Sequence, residues 1–258
     1  MTDYNKILEE LIEWTRTAME KAGGKIALLG VSGGKDSSVT AALLARALGS
    51  DKVLGVLMPD GEQKDIADAI AICDHLGIDR IQADISSVTK AFLGLLQGLL
   101  PGETSAQTKI NLPPRVRMTL LYAISQSIKD SRVINTSNIS EDWVGYATIY
   151  GDTAGAFSPL GMLTTEEVIE LGRRMGVPEP FLVKPPADGL TGKTDEAILG
   201  VTYGEINRYI RTGEVGEEAG AVIDHLHKGS RFKFLPIPMF DPGLPIKGQD
   251  IDRIYGGE

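Results

Sequence analysis

The sequence predicts an α/β fold of the doubly wound kind, a parallel sheet with helices on both faces, and three observations carry that expectation. Short apolar runs alternate with stretches of helical period; the first run breaks into small residues and resumes at once as a helix; and 258 residues, 42% hydrophobic and 24% charged, suffice for a well-buried core. Leu8, Leu11, Ile12, Trp14 and Met19 recur at helical spacing, so residues 4–22 predict an amphipathic helix that Gly23-Gly24 stops. Lys25–Gly30 is the first strand, followed by a loop and a helix reaching Leu48 with Gly49 as its C-cap. Lys52–Leu57 is the second strand, ending in the turn Met58-Pro59-Asp60-Gly61, and Ile66, Ala69, Ile70 and Cys73 mark a helix that Gly77 ends. Ile78–Ile85 is the third strand and Val88–Leu100 an apolar helix, before a polar loop from Pro101 to Ser105. Asn111-Leu112-Pro113-Pro114 precedes a helix through Arg115, Arg117, Met118, Leu121, Tyr122 and Ile124, and Arg132–Thr136 is the fourth strand. Residues 142–161 show no period, and Thr164–Met175 is helical. Prolines and glycines make 184–193 a long mobile loop, and two short helices and a proline-rich tail close the chain from about 205 to 258. One domain, 1–258, is expected.

Composition narrows the function. A net charge of −9 argues against nucleic acid as a partner, and no apolar run approaches the length that spans a bilayer. The amino terminus, Met1–Lys6, lacks a basic-then-apolar segment, so a cytoplasmic protein is expected. Cys73 is the sole cysteine, which excludes an internal disulfide and a cysteine metal cluster and reads as a small core residue.

Chemistry concentrates after the first strand, in Gly30-Val31-Ser32-Gly33-Gly34-Lys35-Asp36-Ser37-Ser38. Paired glycines permit positive φ, and the amides of such a turn, with those of the next helix's first turn, form a concave anion site suited to phosphate. Ser32, Ser37 and Ser38 would add hydroxyls at its mouth, and Asp36 puts a carboxylate where a phosphate-bound metal needs an oxygen ligand. The spacing is neither the Walker pattern nor G-x-G-x-x-G. Ser-Gly-Gly-Lys-Asp-Ser resembles the loop of the ATP pyrophosphatases, whose adenine nucleotide alpha hydrolase-like, Rossmann-like sheet it implies. Active sites of such sheets lie at the carboxyl ends of strands, so Ser32, Met58 and Thr136–Glu141 should converge on one crevice.

Further stretches extend the resemblance. Asn111–Tyr122, Thr136-Ser137-Asn138-Ile139-Ser140-Glu141, Tyr150-Gly151-Asp152 and Gly192-Lys193-Thr194-Asp195-Glu196-Ala197-Ile198-Leu199-Gly200-Val201-Thr202-Tyr203 are, in this order, similar to segments of the ammonia-dependent NAD synthetase family. That resemblance implies an amide ligase that adenylates the carboxylate of nicotinic acid adenine dinucleotide with ATP and amidates it with ammonia, releasing AMP and pyrophosphate. It implies Asp36 and Glu141 as catalytic residues that hold magnesium. It assigns ATP to Gly30, Ser32, Gly33, Gly34, Lys35, Asp36, Ser37, Gln63, Thr136 and Lys184, and the acid substrate to Arg115, Asp152, Asp195, His227 and Lys228. A homodimer is also implied, supported by the apolar helices at Val88–Leu100 and Leu121–Ile128.

Departures fall in the substrate pocket. Ile149 and Thr165 stand where the family usually has lysine, Ala156 where it has an aspartate that binds the dinucleotide, Pro186 where it has serine or threonine, and Pro113 and Leu57 where it has lysine or arginine. Either Lys35, Lys184 or Lys193 compensates, or a related ligase acts here on a different carboxylic acid. An RNA thiolation enzyme shares the loop but is opposed by the single cysteine and acidic balance, and a non-catalytic nucleotide-binding regulator is opposed by the presence of Asp36 and Glu141.

Overall fold

The computed structural model describes residues 2–62, 65–184 and 194–245. Four parallel strands stand in the order β3-β2-β1-β4: β1 Ile26–Gly30, β2 Val53–Leu57, β3 Asp79–Gln82 and β4 Ser131–Val133. Register pairs Leu28 with Leu54 on one side and with Val133 on the other. Successive side chains of a strand point to opposite faces, and the two cores follow that alternation. Ala27, Leu29, Val53 and Leu57 face α1 (Tyr4–Lys21), α2 (Lys35–Leu48) and α3 (Ile66–Leu76), while Leu28, Val56 and Val133 face the helix Ala106–Ser127.

The chain order explains where the crevice opens. After β1 the chain builds outward through β2 and β3, passes through α4 (Ser86–Leu99) and α5 (Ala106–Ser127), and then returns to place β4 on the other side of β1. The gap between the carboxyl ends of β1 and β4 is therefore the switch point of the sheet. Five helices follow close upon it: α6 (Ile139–Trp143), α7 (Thr165–Arg174), α8 (Glu179–Leu182), α9 (Asp195–Leu199) and α10 (Tyr203–Thr212), with α11 (Glu217–Ser230) beyond. Helices α6, α10 and α11 share a third core of Val144, Tyr203, Ile206 and Ile223.

Several boundaries differ from expectation. The helix expected only after Pro114 starts at Ala106, because the Ser105 hydroxyl caps it by accepting from the Thr108 amide at 3.1 Å. Pro113 and Pro114 lie inside it, and burial of Pro113 with the Asn111–Thr148 side-chain bond at 2.8 Å offsets the lost ladder bonds. β3 is shorter than Ile78–Ile85, since the Asp84 carboxylate accepts from the Ser86 amide at 2.8 Å and turns the chain into α4. β4 ends at Val133 rather than Thr136, because the Asn135 amide leaves the sheet for the Phe157 carbonyl. The segment 185–193, expected as a mobile loop, and the end of the tail lie outside the described residues.

Gly172 of α7 lets that helix approach α2 and α8 closely: a Cβ there would sit 2.6 Å from Leu182 Cδ2 and 2.7 Å from Val39 Cγ2. Gly172→Ala is expected to destabilise the fold by about 1–3 kcal/mol through overpacking, read as a lower urea midpoint at unchanged m-value.

Candidate active site

The loop after β1 is shaped by its glycines. Gly33 has φ +79°, and a Cβ on it would meet the Ala69 amide nitrogen at 2.7 Å. Gly34, the N-cap of α2, provides no capping side chain, so the first-turn amides stay open to an anion. Ser37 closes the loop on itself: its hydroxyl accepts from the Ser32 amide at 3.2 Å and donates to the Gly34 carbonyl at 3.2 Å. Of the three serines expected at the mouth only Ser32 is exposed; Ser37 and Ser38 are buried by the turn of α2.

Lys35 sits at the centre. Its ammonium donates to Asp36 Oδ2 at 2.8 Å and to Glu141 Oε1 at 3.1 Å, and lies 5.6 Å from the centroid of the Tyr203 ring. Burial by itself would lower the lysine, but the charges of Asp36 and Glu141 more than reverse this and hold it above the usual lysine range. Glu141 is pushed up, first by burial and then by Asp36, against the pull of Lys35. Two carboxylates gathered on one cation are also the donor set that magnesium takes from a protein when substrate phosphates and water complete its shell. Expected convergence at the switch point is thus observed for the loop and Glu141. Met58, at the end of β2, accepts through its carbonyl from Arg117 Nε at 3.0 Å.

Asn138, which sequence reasoning passed over, makes this arrangement rigid. Its oxygen caps α6 by accepting from the Ser140 and Glu141 amides, and its amide donates to Asp36 Oδ1 at 3.0 Å. The signal was an asparagine followed by a helix start ending in an acid. Asn135 does the same for the next turn: its oxygen accepts from the Ser137 amide and the Ser158 hydroxyl, each at 2.8 Å, and its amide donates to the Asp152 carbonyl at 2.7 Å. Arg117, half-buried near Asp60 and Asp152 with its pKa lowered by desolvation, was likewise noted only as a helix residue.

The remaining expected residues separate into groups. Gly30 ends β1 beneath the loop, and Thr136 lies between β4 and α6. Lys184 pairs with Asp65 at 2.9 Å and Asp68 at 2.6 Å, and Asp68 also packs against Gly33. Thr165 is buried against Asn207 and Ser140. Arg115 donates from Nε to the Ile149 carbonyl at 3.2 Å, and Asp152 accepts from the Thr148 amide at 2.6 Å. Asp195 is buried and accepts from Tyr146 at 2.8 Å and Tyr203 at 3.4 Å, so it positions the ring beside Lys35. His227 stacks on Trp143 with ring centroids 4.1 Å apart and its Nδ1 lies 2.9 Å from the Trp143 carbonyl. Lys228 is not gathered with them: its side chain is 78% exposed and meets Asp224 at 3.7 Å, because it projects from the outer side of α11. Gln63 and Lys193 lie outside the described residues.

A family model described as NAD synthase matches residues 7–233. The chain belongs to the NAD synthase family. An NH3-dependent NAD+ synthetase of Methanosarcina acetivorans is 38% identical over 226 residues, 86% of this chain and 87% of that one. Among solved structures, the NMN synthetase of Francisella tularensis superposes with a TM-score of 0.84 at 31% identity, covering 93% of this chain and 100% of that one. The NH3-dependent NAD synthetase of Campylobacter jejuni superposes at 0.75 with 29% identity over the same shares. The Asp36–Lys35–Glu141 arrangement thus stands in an NAD synthase fold.

Asp142, adjacent to Glu141, is pushed up to about 7, first by burial and then by Glu141, Asp152 and Asp36. A carboxyl raised in the folded state binds its proton more tightly there than in the unfolded chain, so its effect on stability is favourable at low pH and lost as pH rises through the window from about 4 to about 7. The thermal midpoint of the ligand-free protein is expected to fall between pH 5 and pH 8, and Asp142→Asn to flatten that decline, as scanning calorimetry across the range will register.

Proposed function

We propose that this chain is an ammonia-dependent NAD synthetase that adenylates nicotinic acid adenine dinucleotide with ATP and releases NAD, AMP and pyrophosphate, as one domain working in the cytoplasm. The observation that carries the reading is the pair Asp36 and Glu141, drawn onto one cation at the amide-lined start of α2, in a member of the NAD synthase family. A carboxylate oxygen of the acid attacks the α-phosphorus of ATP; the new O–P bond forms as the bond to the bridging oxygen breaks, and pyrophosphate leaves with that electron pair. Ammonia nitrogen then attacks the acyl carbon, AMP leaves with the electrons of the C–O bond, and a proton passes from nitrogen to water. The first-turn amides of α2 at Lys35 and Asp36, with the exposed Ser32 hydroxyl, receive the leaving pyrophosphate, and Asn138 keeps Asp36 and Glu141 aligned on it. Magnesium, held by Asp36 and Glu141, neutralises phosphate charge when bound. Arg115, bonded to the Ile149 carbonyl, and Asp152, which closes that turn on the Thr148 amide, orient the acid.

A second acid has specific support. Ile149 and Ala156 remove charged partners for a dinucleotide, and the higher superposition belongs to the NMN synthetase, whose substrate acid would be the mononucleotide. Steady-state assays should give one AMP and one pyrophosphate per amide formed, with the dinucleotide the better acid by kcat/KM. Asp36→Asn and Glu141→Gln should each cost about two orders of magnitude in kcat or more while the far-ultraviolet spectrum is kept. ADP and phosphate as products would overturn the chemistry; a mononucleotide preference would move the function to the second acid.

A symmetric homodimer through α4 belongs to the same proposal. Among described residues this helix buries only Thr89 and exposes Phe92, Leu95 and Leu99 at 48, 64 and 75%, whereas the apolar side of α5 at Leu121 and Ile124 packs on the sheet. Light scattering should report twice the 27.7 kDa chain at micromolar concentration, and Phe92→Glu with Leu95→Glu should halve it.

A further inference from the structure

The side chain of Lys35 has no step in the scheme above, yet it stands where the scheme needs a metal. Its buried ammonium lies between the two acids, 2.8 Å from Asp36 Oδ2 and 3.1 Å from Glu141 Oε1. Asn138 braces the pair from behind, donating to Asp36 Oδ1 at 3.0 Å and accepting from the Glu141 amide at 3.2 Å, so Asp36 Oδ2 is left to the lysine. Both acids stay partly open to solvent, and an ion from solution can reach them.

Ammonium and magnesium exclude each other from this place. Magnesium binds carboxylate oxygens at about 2.0–2.1 Å, shorter than the hydrogen bonds of the lysine, so an ion touching both acids would overlap Nζ. Repulsion between a divalent ion and a lysine held beside it in a half-dry crevice adds to the clash. Charge balance also favours exchange over addition: the lysine leaves one negative charge on the two carboxylates uncompensated, whereas magnesium in its stead cancels both. The displaced ammonium has partners within reach. It extends from the amide-lined first turn of α2, where phosphate is expected, and an ammonium on a flexible stem serves as a point-charge ligand for phosphate. The Tyr203 ring, 5.6 Å from Nζ, keeps a cation favourable beside the loop once it leaves the acids.

We propose that Lys35 is an internal counter-ion that fills the metal position in the nucleotide-free protein and leaves it when ATP phosphates draw its ammonium away, so that magnesium and nucleotide bind together. This rests on the reading that Asp36 and Glu141 hold magnesium. Lys35 thereby suppresses chelation by the empty crevice and couples the two ligands, and the coupling is reciprocal.

Magnesium titrations of the whole chain without nucleotide, followed by calorimetry and by the thermal midpoint, test this. The parent should bind the ion weakly, whereas Lys35→Met, neutral and of similar length, should bind it about tenfold more tightly or better. Adding Glu141→Gln to Lys35→Met should remove the gain. With a non-hydrolysable ATP analogue present, magnesium should raise the midpoint of the parent. Lys35→Gln provides a second neutral side chain. If neither variant folds, the parent decides: a midpoint that rises only with magnesium and analogue together supports the proposal, and one that magnesium alone raises as far overturns it. Equal nucleotide-free affinity in parent and variants, or none in either, also overturns it; the ligand assignment of Asp36 and Glu141 then stands if Glu141→Gln abolishes the rise seen with the analogue. A gain that survives Glu141→Gln places the ion elsewhere and removes that assignment together with the proposal.

Discussion

The structure depends on one ion cluster. Lys35, with 10% of its side chain exposed, bridges the first turn of α2 to α6 through Asp36 and Glu141, whose side chains are 19% and 20% exposed. Taking three charges out of water is costly, and the attraction among them recovers that cost only because the geometry is short and further hydrogen bonds satisfy the rest. Asn138 provides one such bond to Asp36, and the Tyr203 ring, itself held by Asp195, closes the other side. Removing the lysine would leave two carboxylates facing each other, which is why this contact governs both the stability of the crevice and its appetite for a cation.

From that cluster the rest of the site follows. Because α6 is pinned by Glu141 at one end, its following residues Asp142 and Trp143 are turned toward the C-terminal helices, where Trp143 stacks on His227. Because Asn135 leaves the sheet one residue after Ile134, the chain from Asp152 to Ser158 folds back over the end of β4. Two asparagines therefore divide the crevice, Asn138 serving the phosphate side and Asn135 the acid side. Of the lysines expected to replace lost positive charge, the two among the described residues are matched by acids, Lys35 by Asp36 and Glu141 and Lys184 by Asp65 and Asp68.

The sequence by itself determined the layer order, the strand-loop-helix around Gly33 and Gly34, and the meeting of that loop with Glu141, because each rests on local signals: a period of two or of 3.6, a glycine pair, and the rule that parallel strands open at their carboxyl ends. The loop chemistry singled out Asp36, whereas Glu141 was named as its companion through the family resemblance. Only the tertiary structure decided that α5 runs through Pro113 and Pro114, that Thr165 is sealed against Asn207, that Lys228 points to solvent, and that one oxygen of Asp142 is buried without a hydrogen-bond partner among the described residues. These outcomes depend on contacts between segments far apart in the chain, such as Asn111 with Thr148 and Lys35 with Glu141, and no local pattern encodes the distance between them. Burial, which sets whether a carboxylate is a surface charge or a ligand, exists only once those segments have packed.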